Sequence, residues 1–281
     1  MIAAELGAAR TDEVSRVQEL TLRSSTGLEV HALLRVPRSA EPRAPAAVLV
    51  GGIKRGRRIV TAAGLEAVAR QALIVAPDYP LKLRRHSWEG IGFVSTLLRV
   101  RPAALDSVAQ TLLLLDYLET RPDVDPRRLV LIGGSMGAPI VTIAGGVDQR
   151  PAAVVALYGG GQLAQLIAHT FEHPAQERPY PHWAAVAAGQ GLAWLIAPLA
   201  PERYAGAIAP RFFLMVNGAG DSLVPRSSAL ALYDSARAPK ELVWTEGEHV
   251  QPDEAALLER VGGLVADRLR THGVLPMAPR P

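Results

Sequence analysis

A four-residue apolar run, Leu129-Val130-Leu131-Ile132, passes without a break into Gly133-Gly134-Ser135-Met136-Gly137. No other feature narrows the fold so far. An apolar run of this length bounded by turn residues reads as a buried strand. The glycine-rich segment after it has the G-x-S-x-G pattern of a tight strand-to-helix turn that lifts a serine hydroxyl clear of a sheet. Glycines flank the serine because a side chain at either place would collide with neighbouring backbone. Ala138 adds a further small residue where the helix leaves the sheet.

The pattern on either side suits such a turn. Val17 to Leu22 alternates, Ser24 to Gly27 supply turn chemistry, and Leu28 to Val36 resumes as a strand that Pro37 ends, an antiparallel pair. Strands are then expected at 46–50, 72–76, 129–132, 152–158, 212–216 and 241–244, eight in all with the first pair. Between them, helices are expected at Val60 to Arg70, through Leu105, Val108, Leu112 and Leu115, after Gly137, and at Arg226 to Ala236. A last helix should start near Pro252, with Leu257, Leu258, Val261, Leu264 and Val265 on one stripe. An irregular excursion containing Trp88 and Phe93 precedes the second helix, and the proline-rich tail from Gly273 reads as disordered. This alternation implies a mostly parallel sheet with helices on both faces. Periodicity is poor from Gly161 to Ala209, so one domain spanning 1–281 with a helical cap inserted near 161–209 fits best.

Composition removes several classes of function. The 281 residues are 49% hydrophobic, enough to bury the core of one large α/β domain. Net charge is only +3, and the dense basic stretches, Lys54 to Arg58 and Lys82 to His86, read as solvated surface rather than a nucleic-acid face. With no cysteine there is no disulfide scaffold, no cysteine nucleophile and no thiolate metal site. The opening MIAAELGAARTDEVSR lacks a basic segment followed by an apolar run, so no signal peptide and a cytoplasmic chain are expected. The most apolar stretch, Trp183 to Pro201, is interrupted by Gln190, its flanking glycines and Pro198 and falls short of a bilayer span. His169 and His173 lie one helical turn apart without a further ligand at useful spacing, and no phosphate-binding or dinucleotide motif occurs, so neither metal nor cofactor is expected.

A serine hydroxyl is a poor nucleophile until a base takes its proton, and the base needs an acid to hold its tautomer. After the strand at 212–216 comes Asn217-Gly218-Ala219-Gly220-Asp221-Ser222-Leu223-Val224-Pro225, which puts Asp221 at a strand's carboxyl end; helix capping is its alternative role. Of seven histidines, His249 alone follows a late strand, in Glu246-Gly247-Glu248-His249-Val250. Ser135, Asp221 and His249 therefore appear in chain order, each beyond a strand's end, as the candidate nucleophile, acid and base. Oxyanion stabilisation calls for backbone N–H groups, assigned to Met136 and, in the Gly51-Gly52-Ile53 turn, to Ile53.

These residues resemble the α/β-hydrolase superfamily over about residues 17–270, and within it the small serine esterases of the dienelactone-hydrolase and prolyl-oligopeptidase-related branch. The matching segments are Ala76-Pro77-Asp78-Tyr79, Asp125-Pro126-Arg127-Arg128, Gly218 to Pro225 and Gly247-Glu248-His249. The resemblance implies an α/β-hydrolase fold with an eight-stranded, mostly parallel sheet, a Ser135–His249–Asp221 triad, and an oxyanion hole at Ile53 and Met136. Two departures stand out: dienelactone hydrolases use a cysteine where this chain has Ser135, and their usual His-Gly is replaced here by Gly51-Gly52.

Lys54, Tyr79, Trp183, Trp194 and Val224 are candidate substrate contacts. Phe171, Tyr180, Trp183 and Trp194 in the insert favour a small or medium apolar acyl or aryl ester. Lys54, Arg55 and Arg57 suggest an attraction for anionic esters at the pocket mouth. A lactonase, thioesterase or peptidase would use the same triad, and a ligand-binding module without turnover would keep the same fold. The expected partner is a small-molecule ester; a homodimer stays open.

Overall fold

The computed structural model describes residues 2–38, 41–52, 56–80, 90–172, 181–251 and 254–277. Nine strands among them form one sheet: β1 (Ile2–Thr11), β2 (Ser15–Ser24), β3 (Glu29–Pro37), β4 (Ala44–Val50), β5 (Leu73–Pro77), β6 (Val124–Gly134), β7 (Ala153–Leu157), β8 (Phe212–Gly218) and β9 (Lys240–Thr245). Their spatial order is β1-β2-β3-β5-β4-β6-β7-β8-β9. Pairing is antiparallel from β1 to the β3–β5 contact and parallel from there onward. The order reverses at β4 and β5, and in such sheets ligands bind beyond the carboxyl ends of the strands near the reversal.

The helices are α1 (Glu66–Ala69), α2 (Gly90–Thr120), α3 (Gly137–Val147), α4 (Leu163–Glu172), α5 (His182–Leu195), α6 (Glu202–Ala205), α7 (Arg226–Ser235) and α8 (Ala255–Thr271). Strand side chains alternate between faces, and the two halves of the core follow that alternation. Leu131, Val154, Phe213 and Met215 pack with Leu114 and Leu118 of α2, Val141 and Ile143 of α3 and Leu232 of α7. Val130, Ile132, Val155, Leu214 and Val216 pack on the other face with Val68 of α1 and Val261, Val265 and Leu269 of α8. Strands buried on both faces explain the unbroken apolar runs of the sequence. No helix among the described residues is long and apolar enough to cross a membrane.

Four local expectations are corrected. The sheet has a ninth strand, β1, whose side chains are exposed almost throughout and so carry no alternation for the sequence to reveal. The helix expected at Val60 to Arg70 is two 3-10 turns, Gly56–Thr61 and Ala63–Leu65, followed by the short α1. Here tertiary packing wins: a Cβ on Gly64 would collide with the carbonyl of Leu258, and one on Gly262 with the carbonyl of Gly64. Phe93 lies in α2, which runs through Pro102, where sequence rules would have started the helix later. The chain after Gly273 is not disordered at its start, because Val274 and Leu275 are each 3% exposed and their N–H groups both reach Leu269 O.

Candidate active site

β6 is buried from Leu129 to Gly133, and Ser135, just past its end, takes φ 53°, a left-handed conformation that costs a non-glycine residue energy. The Ser135 N–H donates to Leu157 O at 2.8 Å and Ala138 N–H donates to Ser135 O at 3.0 Å, so the turn is fixed from both sides. A Cβ on Gly133 would collide with Gly137 O, and one on Gly137 with Val50 O. Both obstacles are backbone and cannot swing aside. Gly134, in contrast, has nothing within 4 Å of where its Cβ would be. The turn therefore requires the outer two glycines of the motif and leaves the middle one free.

Three residues far apart in the chain meet here. His249 Nε2 lies 3.0 Å from Ser135 Oγ, and His249 Nδ1 lies 2.8 Å from Asp221 Oδ2. The imidazole is 7% exposed and the carboxylate 1%. A carboxylate this buried needs every oxygen satisfied. Asp221 Oδ1 accepts from the N–H of Leu223 at 2.9 Å and of Val224 at 2.8 Å. One oxygen thus ties the loop before α7 while the other faces the imidazole. The loops bearing Asp221 and His249 are laced together, with Ala219 N–H donating to Thr245 O at 2.8 Å and Gly220 N–H to Gly247 O at 3.0 Å. A Cβ on Gly218 would lie 2.9 Å from Gly247 O and 2.8 Å from Glu248 O, so glycine is what lets these loops touch.

Tyr158, which no motif in the sequence marks, forms the floor beneath the imidazole. It is fully buried with φ 52°, and its ring stands edge-on to that of His249, centroids 5.5 Å apart. Its hydroxyl shares a 3.0 Å hydrogen bond with Thr245 Oγ1, and burial raises its pKa, so it stays neutral. The available signal is positional: Tyr158 follows β7 as Ser135 follows the neighbouring β6. His169 of α4 also reaches this region, its Nε2 2.8 Å from Ser222 O, next to Asp221.

Met136 stands at the start of α3 with its side chain 46% exposed. Ile53 and Lys54, like Arg55, Tyr180 and His173, lie outside the described residues. Gly52 borders the serine: its Cβ position would be 3.7 Å from Ser135 Cβ. Tyr79 turns its hydroxyl to Gly51 O rather than to open space. Arg57 is bound back onto the body, its Nε 3.2 Å from Asp78 Oδ2 and a terminal nitrogen 3.4 Å from Glu19 Oε1, so it is not a free cation at a pocket mouth. Val224 is 8% exposed and meets the nucleus of the site through its backbone N–H. Trp183 and Trp194 on α5 are 75% and 79% exposed, both rings in solvent.

Comparison with known proteins gives a family match over part of the chain and a likeness of fold over nearly all of it. The family model described as serine hydrolase (FSH1) matches residues 151–261, a span that holds Asp221 and His249. A protein of Escherichia coli O157:H7 described as uncharacterized protein YfhR is 28% identical over 141 residues, 48% of this chain and 43% of that protein. The match thus spans less than half the length of that curated relative. Among solved structures, acetyl xylan esterase 1 from Thermoanaerobacterium sp. JW/SL YS485 superposes with a TM-score of 0.63 at 18% identity, covering 94% of this chain and 87% of that one. A cold-adapted esterase from an Arctic intertidal metagenomic library gives 0.63 at 16%, covering 95% and 99%. The α/β-hydrolase GrgF from Penicillium sp. sh18 gives 0.65 at 14%, covering 91% and 97%. At such identities the structural likeness is one of fold. The chain therefore has the fold of these α/β hydrolases, and its residues 151–261 are similar to the serine hydrolase (FSH1) family.

Proposed function

We propose that the protein hydrolyses a carboxylic ester of a small or medium apolar acyl or aryl group, through an acyl-enzyme formed on Ser135. The observation that carries this reading is the continuous line Ser135 Oγ–His249–Asp221, with contacts of 3.0 and 2.8 Å. His249 Nε2 takes the hydroxyl proton as Ser135 Oγ attacks the ester carbonyl. Asp221 Oδ2 stabilises the imidazolium that forms and holds Nδ1 protonated. Backbone N–H groups at Met136 and in the loop after β4 receive the oxyanion. The tetrahedral intermediate then collapses, His249 returns the proton to the leaving alcohol, and water deacylates the serine by the same relay.

The esterases among the structural relatives support an ester over other acyl substrates. α4 and α5, between β7 and β8, are the counterpart of the inserted cap in this reading and set the acyl preference. A panel of p-nitrophenyl esters from acetyl to dodecanoyl tests the proposal. Turnover that peaks at short or medium chains and disappears in Ser135→Ala is expected; no turnover by native protein at any length would remove it.

A further inference from the structure

β4 and β5 are parallel neighbours, with Val48 opposite Val75, so their carboxyl ends stand side by side. The two residues that follow β5 grip the loop that follows β4 at both of its described ends. Tyr79 donates its hydroxyl to Gly51 O. Asp78 Oδ1 accepts the N–H of Arg57 at 3.2 Å, and Asp78 Oδ2 pairs with Arg57 Nε at 3.2 Å. Gly56, with φ 46°, is the residue that lets the loop close on this carboxylate: its Cβ would stand 2.7 Å from Asp78 Oδ1. Burial raises the pKa of Tyr79, so the hydroxyl remains a donor.

The consequence concerns one peptide group. A trans peptide is planar, with its C=O and N–H on opposite sides. Gly51 O faces Tyr79 and lies 3.2 Å from where a Cβ on Gly137 would be, which directs it toward the start of α3. The N–H of Gly52 is thereby turned the other way, on a residue that borders Ser135. Two consecutive glycines have the widest backbone freedom of any dipeptide, so this orientation would be lost without an anchor. We infer that Tyr79 is a positioning residue: its hydroxyl fixes the Gly51–Gly52 peptide beside Ser135, and with it the course of the backbone after β4 that receives the oxyanion together with Met136 N–H. The inference rests on Ser135 as nucleophile. It makes Tyr79 a clamp rather than a substrate contact.

Tyr79→Phe keeps the ring and deletes only the hydroxyl. Removing an oxyanion donor outright costs about 100- to 1,000-fold in kcat, so releasing its anchor should cost about 10- to 100-fold with KM within about twofold. Affinity for a trifluoromethyl ketone, which forms the tetrahedral adduct, should fall by the same factor, while the matching methyl ketone binds as to native protein. Asp78→Asn should show the same selective loss, smaller in size. Unchanged kcat in Tyr79→Phe, or equal weakening of both ketones, overturns the inference even though native protein reacts at Ser135. If native protein neither hydrolyses esters nor reacts with a fluorophosphonate, the hydrolase reading falls, and the inference with it.

Discussion

The Ser135 turn and the α4–α5 pair follow opposite rules of construction. Around Ser135, backbone meets backbone: Gly133 and Gly137 have no room for a methyl group, and the hydroxyl is aimed by a strained φ of 53° that the packing enforces. In the α4–α5 pair the close contact is confined to one seam, where Ala185 and Gly189 are buried and Gly189 faces Ala164 and Ala168. The outer side of α5 is left to solvent, with Trp183, Val186 and Trp194 exposed. At Gly133 and Gly137 the first region has no freedom to vary without distorting the turn. The second can change side chains at little cost in stability, which suits a surface that selects among substrates.

Substitutions can break or sharpen that contrast, beginning with the largest effect. Asp221→Asn preserves shape but no longer holds the imidazole in the required tautomer, so kcat should fall by about 10,000-fold in ester turnover. Retention of native kcat would mean that the Asp221–His249 contact is incidental. Gly137→Ala drives a methyl group into Val50 O and should lower stability by about 3 kcal/mol or more in urea unfolding. A smaller loss would show that the turn is looser than the distances require.

Alkali should erode stability through Tyr158. Its pKa is raised in the folded chain, so the unfolded chain releases the phenolic proton first, near the ordinary value of about 10. Stability is therefore fully present below that pH and declines as pH rises toward the folded value. Tyr158→Phe should flatten the decline, measured as the urea midpoint across alkaline pH; an equal slope in both proteins would assign it elsewhere.

On the open side of the contrast, Trp183→Ala and Trp194→Ala should leave stability within about 0.5 kcal/mol. They should instead alter the ratio of kcat/KM for hexanoyl and acetyl esters by about threefold to tenfold. An unchanged ratio would place acyl selection elsewhere. The smallest effect belongs to Gly134→Ala, which meets open space and should change stability by no more than about 0.5 kcal/mol. That result, set against Gly137→Ala in the same motif, isolates packing from glycine content.

The elements legible in the sequence are those whose neighbours in the chain decide their form. The buried parallel strands are continuous apolar runs, and the loops carrying Ser135, Asp221 and His249 announce themselves through glycines at strand ends. What stayed hidden depends on distant contacts. β1 is exposed and exists through pairing with β2. Val274 and Leu275 are ordered by Leu269. Tyr158 becomes part of the site only because β7 sets it beside the loop of His249. Arg57 loses its apparent freedom to Asp78, beyond the end of β5, and to Glu19 of β2.

The relay centred on His249 is tested most directly by mapping the adduct of a fluorophosphonate on intact protein and its peptides. One equivalent on Ser135, with the rate collapsing in His249→Ala, is the predicted result. Modification of a different serine, or native-rate labelling of Ser135 without His249, would contradict the account.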